Sequence, residues 1–382
     1  MGRARESRSD TLIANALTTR AAVLINQRKG AEAEPLAREA WERSVASRGE
    51  DAPRSISTLS NVGQALFVQS KYAEAEPIMR RVLEQYRRVN GEVSPLTGLA
   101  WNNLSALLQA QGKPSEAEEA ARQALSVWRG SYGDRHQRVT LVLNNLGSML
   151  RAQGKLDEAE RMQRDALRIM REILPAGHID IAVTHNNLAH TIEEAHRYVA
   201  AEAEYRAAIS ELAKGALAES PFRGTFLANL GRVIDLQGRW MEAEETLRSA
   251  LTIQRQLISG PHANTATTLA LLGDLLGRRG RVPEGESMLR EALVMREQVL
   301  APGHWSIQVT RSALGRLLAL QGRTTEADSL LTSSAAALAK QLGLADERAR
   351  AALERAAALY EQIGDRDRAQ ATRQKLNEHR DR

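Results

Sequence analysis

Apolar residues recur at three- and four-residue spacing in paired blocks, as at Leu143, Leu146 and Leu150, then at Ala159, Ala166, Leu167 and Ile169. That spacing puts them on one face of an α-helix, so each pair of blocks predicts two amphipathic helices. A short polar turn separates the blocks, written Gln-Gly-Lys at Gln111 to Lys113 and again at Gln153 to Lys155, with related forms ending at Gly238, Gly280, Gly322 and Gly364. Glycine just past a helix suits the left-handed backbone of a helix end, where a side chain would clash. A second break follows the second helix, around Gly91 to Pro95, Gly177-His178, Gly260 to His262 and Pro302 to His304. The element this pattern predicts is a helix hairpin.

The hairpin repeats along the chain. Ala-Glu pairs stand in register every 42 residues, at Ala33-Glu34, Ala75-Glu76, Ala117-Glu118, Ala159-Glu160, Ala201-Glu202 and Ala243-Glu244. The series continues at Gly285-Glu286, Ala327-Asp328 and Ala369-Gln370, which gives nine repeats over residues 10–379, between short tails at 1–9 and 380–382. One hairpin buries too little apolar surface to offset the entropy of ordering it, so neighbours must stack and share a core. The expected fold is all-α, a single right-handed α-solenoid of nine stacked helix-turn-helix repeats. Small residues at Ala117, Ala159, Ala201 and Ala243, and at Ala124, Ala166, Ala208, Ala250 and Ala292, mark where helices must approach. The ninth repeat carries Arg355 and Arg368 in place of apolar residues and ends in the charged run Lys375 to Arg382, expected to be a solvent cap. Pro35 and Pro77 are expected early in a second helix, among the N–H groups that lack a helical partner.

Several repeats resemble the tetratricopeptide repeat, whose consensus sets Trp-x2-Leu-Gly-x2-Tyr before Ala-x3-Phe. Trp101-x2-Leu104-Ser105-x2-Leu108 keeps the tryptophan; Leu143-x2-Leu146-Gly147-x2-Leu150, Leu227-x2-Leu230-Gly231 and Leu269-x2-Leu272-Gly273-x2-Leu276 keep the Leu-Gly pair. The usual period is 34 residues; the 42-residue period here, with Leu143 to Gly147 and Ala33 to Pro35, is similar to the longer repeats of kinesin light chains, a form also carried by many bacterial proteins. The resemblance implies a protein-interaction array whose first helices line a concave groove.

One position of the first helix departs from what packing asks. Asparagine, a weaker helix former than alanine, recurs at Asn61, Asn103, Asn145, Asn187 and Asn229. Each lies one residue before the apolar stripe, along its edge. A row of amides offers donors and acceptors that can pair with the backbone of an extended peptide whatever its sequence. The bland alternative is that each amide ties one hairpin to the next. The row lapses at Leu271 and Ala313, so the expected groove covers repeats two to six. Three residues further on, Gln64, Ala106, Ser148, His190, Arg232, Asp274 and Arg316 would supply selectivity, with Arg151 and Arg232 favouring an acidic ligand.

Candidate chemistry elsewhere is weak. His136, His178, His262 and His304 also follow the period, but neighbouring repeats stand about one helix-packing distance apart, 8–10 Å, too far for ligands of one metal ion; a capping role before the first helix is expected. His190, Glu193, Glu194 and His196 do not form a His-Glu-x-x-His motif. Gly112-Lys113 and Gly154-Lys155 lack the glycine and hydroxyl residue of a phosphate loop, and no Gly-x-Ser-x-Gly elbow occurs. There is no cysteine, which excludes disulfides and thiolate chemistry and permits a reducing compartment. A net charge of +5 names no partner, and 4% aromatic residues offer few platforms for stacking bases.

The expectation is a cytoplasmic, monomeric, non-enzymatic scaffold without cofactor or metal, binding a protein or peptide and neither nucleic acid nor membrane. The alternative is a regulatory or sensor module that works with a separate catalytic domain such as a kinase or protease.

Overall fold

The computed structural model describes residues 2–377. Within them every regular element is a helix, and the chain divides into two compact units, residues 1–195 and 196–382. The first holds α1 (Gly2–Asn26), α2 (Gly30–Arg48), α3 (Pro53–Val68), α4 (Tyr72–Asn90), α5 (Pro95–Ala110), α6 (Pro114–Tyr132), α7 (Gln137–Ala152), α8 (Leu156–Ile173) and α9 (Ile179–Glu194). The second holds α10 (Tyr198–Ala213), α11 (Pro221–Leu236), α12 (Trp240–Leu257), α13 (Ala263–Arg278), α14 (Val282–Val299), α15 (Trp305–Leu320), α16 (Thr324–Leu342), α17 (Glu347–Ile363) and α18 (Arg366–Asn377). This is an all-α repeat solenoid. Helix α1 starts at Gly2, within the stretch expected as a tail, because nothing from Arg3 onward breaks a helix; the expected tail at 380–382 lies outside the described residues.

The local chemistry matches the pattern. Gly112 and Gly154 take φ of 73° and 75°, the left-handed conformation, and Ser70 is forced into it at 61°. Ala33, Ala75, Ala117 and Ala159 of the first unit and Ala201, Ala243 and Ala292 of the second are fully buried where helices cross. The first unit's core runs from Ala21 to Ile169 around Trp128, whose indole N–H donates to the Pro95 carbonyl at 3.1 Å. Trp128 fits because Gly98 has no side chain: a Cβ there would lie 2.4 Å from the indole nitrogen. The second unit's core is built from Leu289, Leu314, Leu317, Leu331 and Tyr360 with their neighbours.

Two expectations need correction. Pro35 and Pro77 are the sixth residues of α2 and α4, past the N–H groups that lack partners, so each removes one helical bond. The helices continue because Ala31 and Ala73, whose carbonyls lose that bond, lie on exposed stretches open to solvent. Arg355 is no solvent cap either. It is half-buried, with its guanidinium turned towards Asp274 of α13.

Candidate functional site

The predicted groove residues lie on first helices: Asn61 and Gln64 on α3, Asn103 on α5, Asn145, Ser148 and Arg151 on α7, Asn187 and His190 on α9, all in the first unit, and Asn229 and Arg232 on α11 in the second. The five asparagines are all half-buried, as expected of a position at the edge of an apolar stripe. Their roles divide. Asn187 Nδ2 donates to Oδ1 of Asn144 at 3.3 Å, which ties α9 to α7; this is the bland alternative realised at one rung. Asn61, Asn103 and Asn145 have no side-chain hydrogen bond among the described residues, while Asn229 is already engaged.

Gln64 and Asn103, from neighbouring repeats, line one cavity of about 360 Å³. Its apolar wall is formed by Phe67, Val68 and Ala106, and Arg28 and Asn26 stand at the end of α1. Amides above an apolar wall suit an extended chain that is held by its backbone while one side chain is buried.

The selectivity positions are largely spoken for. Ser148 Oγ donates to the Asn144 carbonyl of its own helix at 3.1 Å. The Arg151 guanidinium is paired with Glu194 and so is not an unmatched cation for an acidic ligand, and Arg232 is also engaged. His190 Nδ1 stands 4.0 Å from Glu193. No group of three or more metal-ligating side chains gathers among the described residues, and no helix there is long and apolar enough to cross a membrane.

The periodic histidines cap helices. Nδ1 of His136, His178, His262 and His304 accepts the N–H of Arg138, Asp180, Asn264 and Ser306 at 3.1, 3.2, 3.1 and 3.2 Å. Ser94 and Asp346 accept the equivalent bonds of α5 and α17. Since Nδ1 must carry a lone pair, each capping imidazole holds any proton on Nε2.

Sequence reasoning missed a set of ion pairs between successive hairpins. In six repeats the glutamate at the Ala-Glu position is gripped by the turn of the next hairpin: Glu34 by Gln69 and Lys71, Glu76 by Lys113, Glu118 by Lys155, Glu202 by Gln237 and Arg239, Glu244 by Arg281, and Glu286 by Gln321 and Arg323. The strict register of Ala-Glu with Gln-Gly-Lys was the signal that should have paired them. The Gly-Lys lysines are thus structural stitches.

A tetratricopeptide repeat model matches residues 12–88, 54–130, 96–172, 138–214 and 222–298. No curated protein matches the sequence. Among solved structures the fold is similar to the apo form of RapI, with a TM-score of 0.69 at 14% identity over 96% of this chain and 97% of that one. It is also similar to the apo form of the quorum sensor NprR from B. thuringiensis (TM-score 0.65, 13% identity, 95% and 97% covered). A Rap protein complexed with Competence and Sporulation Factor gives a TM-score of 0.62 at 13% identity, with 96% and 97% covered. At such identities the likeness speaks for the fold alone. The family match spans most of the chain and agrees with the hairpins, the buried small residues and the glycine turns: this protein belongs to the tetratricopeptide repeat family.

Proposed function

We propose that this protein is a non-enzymatic interaction scaffold that binds an extended peptide or partner segment along the first helices of its first unit. The observation that carries the reading is the shared cavity of Gln64 and Asn103, with the Asn61, Asn103 and Asn145 amides unused by the fold. The polar atoms of these half-buried amides stay open to solvent, so a ligand backbone can exchange their water contacts for direct hydrogen bonds. Asn187, committed to Asn144, contributes geometry to this mechanism and no direct contact. Ser148, Arg151 and His190 flank the row within the first unit and shape access to it, and the cytoplasm is the compartment the proposal assumes.

A regulatory role beside a separate catalytic signalling domain, a kinase or protease, is the second reading. Its support is the fold shared with a quorum sensor and with a Rap protein complexed with a sporulation factor.

The test is a peptide-array screen of wild type against an Asn61→Ala, Asn103→Ala, Asn145→Ala triple variant. The expected result is at least a tenfold loss of affinity for the selected peptides with an unchanged melting midpoint. A folded variant that binds as tightly as wild type, or a wild type that selects no peptide, ends the amide-row mechanism.

A further inference from the structure

The turn edge of the second unit carries large apolar side chains where the rest of the array is small or polar. Read along the 42-residue period, the second residue of each second helix is Ala31, Ala73, Ser115 and Asp157 in the first unit, and Thr325 and Asp367 at the end of the second. Between them stand Val199 on α10 and Met241 on α12, 75% and 68% exposed, followed by the exposed Pro283 on α14. Trp240, next to Met241, is 37% exposed. Alanine, serine and aspartate serve the other hairpins at this place, so the fold does not ask for these side chains. A run of exposed Val, Trp and Met on adjacent helices marks a contact surface.

Two charges flank the row on opposite sides, and the fold pairs neither of them. Arg279, in the turn after α13, takes the place that glutamine holds at Gln69, Gln111, Gln153, Gln237 and Gln321. Its guanidinium lies over the Trp240 ring, 4.2 Å from the ring centre, and makes no ion pair among the described residues. Glu245 is exposed one helical turn beyond Met241 on α12, and its carboxylate has no ion pair among them either. The acids around it, Glu242 and Glu244, are already held by Arg206 and Arg248.

A cation on the turn side of the row and an acid one turn along the helix become self-complementary about a two-fold axis. With the axis along the row, a second copy lies with its helices antiparallel, so that Val199 meets Val199 and Met241 meets Met241. Glu245 of each copy then faces the turn of the other, where Arg279 stands. On α10 the equivalent positions hold Ala203 and Gln237, so no like charges oppose one another there. An axis along the helices would instead set Glu245 against Glu245. We propose that this turn edge is a homodimerisation surface, in which the Val199 and Met241 row packs on its own copy and two symmetric Glu245 to Arg279 pairs fix the antiparallel register. The surface lies wholly in the second unit, is independent of the amide row, and makes the protein a dimer in place of the monomer expected from the sequence.

Sedimentation equilibrium of the intact protein over a series of concentrations tests the assignment. Wild type should pass reversibly from the mass of one chain to that of two, with weaker association at high salt. Met241→Asp, which sets like charges on the axis, should raise the dissociation constant at least tenfold, and so should Glu245→Arg and Arg279→Glu, each alone. Mixed in equal amounts, the Glu245→Arg and Arg279→Glu proteins should pair with each other, since every contact then joins opposite charges, and a chain carrying both changes should dimerise as wild type does. All three positions are exposed, so the melting midpoints should stay close to that of wild type. The proposal is overturned if wild type stays monomeric at every concentration, if Met241→Asp or Glu245→Arg dimerises as wild type does, or if neither the mixture nor the double reversal restores association.

Discussion

Lys113 Nζ lies 2.8 Å from Oε2 of Glu76, so the lysine that closes the α5–α6 turn is held by the hairpin before it. Arg80 reaches the same carboxylate at 2.8 Å and also Glu116 of the next repeat at 3.0 Å. The contacts recur at Glu118 with Lys155 and Arg122, and at Glu202 with Arg239 and Arg206. Within each unit these directional pairs add to side-chain packing in setting the register of one hairpin on the next.

Those pairs predict an acid-sensitive step. Hydrogen bonds from Lys113 and Arg80 hold Glu76 down to about 2, against an ordinary carboxylate value near 4.5. A depressed carboxylate stabilises the fold above its unfolded value, and the contribution disappears as the pH falls from about 4.5 towards 2. Glu76→Gln should therefore lower stability by about 1 kcal/mol at pH 7, less in high salt, with the gap shrinking below pH 4.5 and closing only as the pH falls through 2. Urea unfolding of both proteins across that pH range measures it, and a gap independent of pH would show the ion pair to be inert.

The histidine caps predict a residue-specific cost. His136→Ala removes the acceptor for the Arg138 N–H and should destabilise by about 1 kcal/mol, whereas His136→Asn, which can cap the same group, should keep most of the stability. Thermal melts of the two variants distinguish capping from the stacking of His136 on Tyr132, whose ring centres lie 4.0 Å apart, because asparagine restores only the first.

Arg296 on α14 predicts the opposite sign. It is 7% exposed, where Met170 and Leu338 occupy the equivalent buried positions of other repeats. Its guanidinium donates to the Ser306 carbonyl at 2.7 Å and to Thr310 and Thr267, with no carboxylate among those partners, and burial pushes it down to about 10. Replacing a buried charge by a well-packed apolar side chain is often neutral or stabilising, by about 1–4 kcal/mol. Arg296→Met should raise the melting midpoint. A lower midpoint would mean that the three neutral acceptors fully compensate the charge.

The repeat, its hairpins, the glycine turns, the small crossing residues and the histidine caps were all legible in the chain, because each is set by contacts within a few residues or one period. The 3.6-residue spacing fixes which face is apolar, and a left-handed turn or an N-cap needs only its own neighbours. Side-chain partners across repeats were not legible. Whether Asn187 meets a ligand or Asn144, whether Arg151 is free or held by Glu194, and whether Arg355 faces water or Asp274 depend on how far one helix is displaced against the next, a distance of an ångström or two that packing of the whole stack decides. Local pattern chose the elements; only the assembled helices chose which polar groups they satisfy and which they leave for something else to bind.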